Sequence, residues 1–154
     1  MIKKPERKLI LKRGIDAEEY FEYCDKVGCD VWGILSSVIE AISEPMGLWL
    51  PQKLIEKETS KYVHGVEVNK DFAEVIPDGF DIITLEPCKM MIFQGEPYDD
   101  ENFAEEIGVV KKAIEKYNPN LYCFEWADNN APRFQYEPQG DRGYIEGRPV
   151  KLIK

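Results

Sequence analysis

Adding 81 to the numbering of the first half of this 154-residue sequence brings Gly14 onto Gly95 and Leu9-Ile10-Leu11 onto Met90-Met91-Ile92. It also lays the first acidic helix start onto the second. Coincidence is the alternative to a duplication. Taken as one, each copy runs strand, glycine, amphipathic helix, two strands, which predicts an α+β fold of duplicated strand-helix-strand-strand units forming an antiparallel sheet with two main helices over one face. The other face is then either solvated or folded towards its counterpart to leave a ligand cleft between the halves. The expected organisation is one domain over residues 1–154, with halves at about 7–70 and 78–151.

The local pattern carries this reading. Leu9, Ile10 and Leu11 make a short strand closed by Gly14, and Asp16 with Glu19 forms a capping-box variant. Tyr20, Phe21, Cys24, Val27, Val31, Leu35, Val38 and Ile42 follow at helical spacing, with Gly28 or Gly33 as the break. Gly47-Leu48-Trp49-Leu50 and Tyr62 to Val68 are strands on either side of a charged loop from Lys53 to Ser60. After the turn at Pro77-Asp78-Gly79, Phe80 to Leu85 and Lys89 to Phe93 are strands around Glu86-Pro87. A helix entered through Asp99 and Asp100 carries Phe103, Ile107, Val110, Ile114 and Tyr117 on one stripe and stops at Asn118-Pro119. The segments Leu121 to Trp126, Arg133 to Glu137 and Gly143 to Val150 are the last strands.

Charge and cysteine usage narrow the function. With 20 Lys+Arg against 29 Asp+Glu the chain carries −9, so it repels phosphates and cannot draw on counterion release; direct nucleic-acid binding is not expected. The charged start, Met1-Ile2-Lys3-Lys4-Pro5-Glu6-Arg7-Lys8, lacks the apolar core of a secretory signal, and no apolar run approaches the roughly 20 residues of a membrane span. No membrane partner and a cytoplasmic location are expected. Cys24, Cys29, Cys88 and Cys123 form no C-x-x-C pair and read as buried or half-buried free thiols, with Cys24 and Cys29 as a redox pair the less favoured reading. His64 reads as a strand residue. With one histidine, no nucleophile motif and no glycine-rich phosphate loop, neither a triad hydrolase, a metal site nor a cofactor is expected.

Many aromatic residues sit instead in strands beside carboxylates. Alternation places Tyr122, Phe124 and Trp126 on one face, and Tyr144, Glu146 and Arg148 on one face of the last strand. Phe134 and Tyr136 alternate with Arg133, Gln135 and Glu137. Trp49, Phe93 and Phe124 each fit a core position alone, Glu125 fits solvent, and Asp99-Asp100-Glu101 fits a helix start. Together, large rings and a few carboxylates suit a pocket for a flat, apolar, often cationic ligand.

These residues bear a likeness. Gly95-Glu96-Pro97-Tyr98 after the strand Met90 to Phe93, the helix beyond it, Arg133-Phe134-Gln135-Tyr136-Glu137, and Tyr144-Ile145-Glu146-Gly147-Arg148-Pro149-Val150 resemble the GyrI-like effector-binding domains of AraC-type and related multidrug-responsive regulators. The resemblance extends over nearly the whole chain, including Gly47-Leu48-Trp49-Leu50-Pro51. It implies a duplicated fold with a cleft between the halves, and binding of lipophilic, frequently cationic compounds above an acidic residue. The family acid follows a phenylalanine; Gln135 stands there in this sequence, and Glu137, pointing the same way, is the nearest carboxylate. Glu146 ranks above Glu125 as the backup acid. The resemblance makes Trp49, Met91, Phe93, Tyr98, Trp126, Phe134, Gln135, Tyr136, Glu137, Tyr144 and Glu146 the expected ligand-binding residues.

Only seven residues precede the first strand where the regulators carry a DNA-binding region, so a free-standing effector domain is expected, with a lipophilic small molecule as its partner. Two alternatives stand beside it. One is a hydrolase of cyclopropane-containing genotoxins, with Glu137 or Glu146 and Tyr136 or Tyr144 positioning or deprotonating water. The other is a protein-interaction module with an acidic, nucleic-acid-like surface, as in a gyrase inhibitor.

Overall fold

The computed structural model describes residues 1–153. The first half contains β1 (Ile2–Lys4), β2 (Arg7–Arg13), α1 (Tyr20–Val27), α2 (Asp30–Ser36), β3 (Met46–Trp49) and β4 (Tyr62–Asn69). The second contains β5 (Asp81–Leu85), β6 (Cys88–Gln94), α3 (Phe103–Lys116), β7 (Phe124–Trp126), β8 (Arg133–Tyr136) and β9 (Ile145–Leu152). All strand pairs are antiparallel, in the order β1-β6-β9-β8-β3-β4-β2-β5, with β7 continuing along β9 where β8 ends. The fold is α+β, and the order is symmetric about the β8·β3 junction. On one side β3, β4 and β2 follow one another as β8, β9 and β6 do on the other.

The first helix is shorter than its apolar stripe predicts. Glu19, not Asp16, caps it, its carboxylate accepting from the Phe21 and Glu22 amides. At Gly28 the backbone turns to φ +112°, a conformation that glycine adopts without strain, and the helix is cut into α1 and α2 there. The helix of the second half, α3, is the longest: it begins at Phe103 after a tight turn over Asp100–Asn102 and ends at Lys116, with Tyr117 as its C-cap.

The face away from the helices is not solvated. Only Pro5-Glu6 separates β1 from β2, and only Glu86-Pro87 separates β5 from β6, although these pairs sit at opposite ends of the strand order. Two residues span only a few ångströms, so the sheet must curl until its ends meet. β5 and β6 are therefore not a hairpin; they pair with β2 and β9 respectively. Curling encloses one apolar cluster drawn from both halves, with Leu9, Leu11, Met46, Leu48, Val63, Leu85, Met90 and Phe134 at its centre. A side chain at Gly147 would collide with the Phe134 ring across the β8·β9 pair, so glycine there seats that ring.

Glu67 closes the seam. Buried within the curl, it accepts from Lys4 Nζ at 2.6 Å and Arg7 Nε at 2.7 Å, and Arg7 also donates to the Glu86 carbonyl at 2.9 Å. Burial pushes this carboxyl up, but Lys4 and Arg7 outweigh it and hold it below the usual carboxylate range.

The helices cover the opposite face in two separate patches. In one, Tyr23 of α1 and Val31 and Leu35 of α2 pack on Ile10, Tyr62 and Val66 of the sheet; in the other, Val110 and Ile114 of α3 pack on Tyr144. Two cysteines depart from expectation, since Cys29 and Cys123 are exposed while Cys24 and Cys88 are half-buried. Among the described residues no helix is long and apolar enough to cross a membrane, and no group of three or more His, Cys, Asp or Glu is placed to hold a metal ion.

Candidate functional site

Because α1 is only two turns long and α3 stands over the other half, the sheet is left uncovered at the β3·β8 junction. The gap is a cleft of about 410 Å³, within the range of small-molecule sites. Tyr20 and Phe21 form one wall, and Phe103, Ala104 and Ile107 the other. Trp49 and Gln135 make the floor, with Glu19, Glu137, Pro138 and Lys111 around them. Phe21 is 60% exposed, an unusual state for a phenylalanine on the apolar stripe of a helix.

Beside the floor, on the same face of the sheet, lies Glu146, which pairs with Gln135 across β8·β9, meets Lys111 of α3 and is fully buried. Three donors hold it: Tyr144 Oη at 2.7 Å and Lys111 Nζ at 3.2 Å on one oxygen, and Arg133 Nη2 at 2.8 Å on the other. Burial pushes the carboxyl up, but Lys111, the Tyr144 hydroxyl and Arg133 more than offset this and keep it ionised, below the usual range. The phenol of Tyr144 is pushed far up, first by burial and then by the adjacent carboxylate.

A polar chain runs on from this acid. The Tyr144 hydroxyl also lies 2.7 Å from Gln135 Oε1, Gln135 Nε2 donates to Tyr62 Oη at 2.8 Å, and Tyr62 Oη lies 3.2 Å from His64 Nε2. His64 is enclosed by rings, with Tyr23, Trp32, Tyr20 and Tyr62 centred 4.1, 4.9, 5.2 and 5.4 Å from it. Burial lowers it to about 3, so the imidazole is neutral at physiological pH. Tyr20, between this box and the cleft, is pushed up to about 12 by burial and then by Cys24.

Charge in the cleft and its floor is mixed. Glu19, Glu137 and Glu146 face Lys111 and Arg133, whose cationic groups lie over the Trp49 ring at 5.1 and 5.7 Å.

Of the residues expected from sequence to contact a ligand, the structure brings Trp49, Gln135 and Glu137 to the cleft, and Tyr144 and Glu146 beside its floor. The others lie elsewhere. Phe134 is buried in the opposite-face core and Tyr136 packs against it, because β8 alternates and Gln135 takes the cleft side. Met91, Phe93 and Trp126 gather with Tyr117 under the C-terminal end of α3, where Arg148 stacks on Trp126 at 4.1 Å. Tyr98 sits against Phe103 and Gly140, outside the lining. Sequence reasoning missed Tyr20, Phe21, Phe103, Ile107, Lys111 and Arg133. The four apolar ones carry the same helical spacing as core residues, and only the break at Gly28 marked the short helix that leaves them open.

A more open depression of about 610 Å³ lies along β1, β6 and β9, but no aromatic residue lines it. It lacks the stacking surface of the cleft.

No family model and no curated protein matches the chain. Solved structures share its fold. One is that of SAV2435 bound to tetraphenylphosphonium, 16% identical, with TM-score 0.58, covering 97% of this chain and 92% of its own. Another, from Staphylococcus aureus MU50 and named for transcription regulation, is 17% identical with TM-score 0.51, covering 99% and 96%.

Proposed function

We propose that the cleft binds a lipophilic, cationic small molecule and that the chain acts as an effector-binding domain of the GyrI-like kind. The observation that carries this reading is an aromatic cleft between two helices with an ionised, fully buried carboxylate beside its floor. Rings supply stacking and cation–π attraction, and the excess of carboxylates over cations in the cleft favours positive charge. The likeness to a fold that holds tetraphenylphosphonium in SAV2435 agrees with this reading. A regulatory role agrees with the second likeness.

The hydrolase reading finds less support in the geometry. Glu137 is exposed at the rim, Tyr136 faces the opposite core, and Glu146 is tied to two cations that make it a weak base.

Thermal unfolding with tetraphenylphosphonium and with neutral triphenylphosphine oxide tests the proposal. A ligand at 100 times its Kd stabilises by about 2.7 kcal/mol, and the cation is expected to act at lower concentration than the neutral compound. No stabilisation by either, at any soluble concentration, would remove the case for a lipophilic site.

A further inference from the structure

The base of the cleft already holds a cation. Lys111 Nζ stands 3.2 Å from the Glu146 carboxylate, 5.1 Å from the centre of the Trp49 ring and 5.5 Å from that of Tyr144. A ring-and-carboxylate position of this kind is the one a ligand cation needs. Yet Lys111 is the most loosely held of the groups on Glu146. Its side chain is 44% exposed, against 33% for Arg133, and its bond to the carboxylate is the longest of the three. If it swings out, Glu146 keeps Arg133 and Tyr144, so the buried charge is not orphaned. A lysine is a compact charge on a flexible stem and regains full hydration outside.

We infer that Lys111 is a built-in, displaceable occupant of the cation position: a cationic ligand binds by driving its ammonium off Glu146 and Trp49 into solvent. This rests on the reading of the cleft as a lipophilic cation site and adds the residue that sets its threshold. Lys111 lowers apparent affinity for cations, because a competitor that occupies the site reduces the fraction of protein able to bind. It also repels any second positive charge brought close. Compounds without charge enter over the rings and leave Lys111 in place.

The test is calorimetric titration of tetraphenylphosphonium and triphenylphosphine oxide into the wild type and the Lys111→Gln, Lys111→Met and Lys112→Gln variants. Lys112 is the exposed neighbour on α3 and makes the same change in net charge away from the cleft. Both Lys111 variants are expected to bind the cation roughly tenfold more tightly, the size of one removed like-charge contact in a partly dry site, with the neutral compound and Lys112→Gln unchanged. Circular dichroism confirms folding. Cation binding that is unchanged or weaker in both Lys111 variants overturns the inference and leaves the lipophilic site standing. Equal tightening for both compounds overturns it too, since Lys111 would then be a steric obstacle. Binding of neither compound to any variant rejects the underlying reading itself.

Discussion

The phenol of Tyr62 occupies the space that a side chain at Gly47 would fill. Gly47 lies between His64 on β4 and Gln135 on β8, and a Cβ there would collide with the Tyr62 hydroxyl. The absent side chain lets Tyr62 reach over β3 to Gln135 and joins the two halves beneath the cleft. Gly47→Ala is expected to cost about 1–3 kcal/mol in urea unfolding, as overpacking does, and to weaken ligand binding because Gln135 loses its partner. Unchanged stability and affinity would show that the Tyr62–Gln135 contact does not shape the floor.

His64 gives the protein a pH dependence above the carboxylate range. Its ordinary value is 6.5 and burial lowers it to about 3, so between those values the unfolded chain takes up a proton that the folded chain refuses. Stability therefore falls with pH, by about 2 kcal/mol from pH 7 to pH 5. Denaturant unfolding across that window should show the fall in the wild type and a flat profile in His64→Gln. Glu67 and Glu146, both held low, add their own losses only below about pH 4.5.

Two aromatic residues separate binding from packing. Phe21→Ala is expected to weaken tetraphenylphosphonium binding several-fold with less than about 0.5 kcal/mol change in stability, since the ring is mostly exposed. Trp126→Ala should do the reverse, because it removes the stack with Arg148 and contacts with Phe93 and Tyr117 away from the cleft. Titration and thermal melts of the two variants provide both readings.

Glu67→Gln leaves Lys4 and Arg7 facing a neutral group in a buried seam. Breaking one side of such a cluster costs about 3–5 kcal/mol, and the seam that keeps the sheet curled should loosen. Lower melting temperature together with faster hydrogen exchange at β1 and β5 is the expected signature.

Much of the architecture could be read from residue spacing. The glycine-centred alignment of the halves and the strand after each turn signal follow from local period and turn chemistry; alternation puts Tyr144, Glu146 and Arg148 on one face of the last strand but leaves open whether that face meets the cleft. The curl does not. Nothing in Pro5-Glu6 or Glu86-Pro87 says that the strands on either side pair at opposite ends of a sheet, and the short strand Ile2–Lys4 has no pattern apart from its partner β6. The site was partly legible on the strands and illegible on the helices. Alternation separates Gln135 and Glu137 from Phe134 and Tyr136 but does not say which set is enclosed, so both sets are expected at the site, and Glu146 enters only as a backup acid on a strand whose facing is open. Tyr20, Phe21, Phe103 and Ile107 look like core at helical spacing, and only their distance from one another in space makes them walls.

Trp49 reports on the floor of the cleft directly. With Trp32 and Trp126 replaced by phenylalanine, it is the sole tryptophan of the described chain. Titrating tetraphenylphosphonium into that variant should quench its fluorescence saturably, with a midpoint equal to the calorimetric Kd. Calorimetric binding with no change at Trp49 would place the ligand elsewhere and contradict the assignment of the cleft.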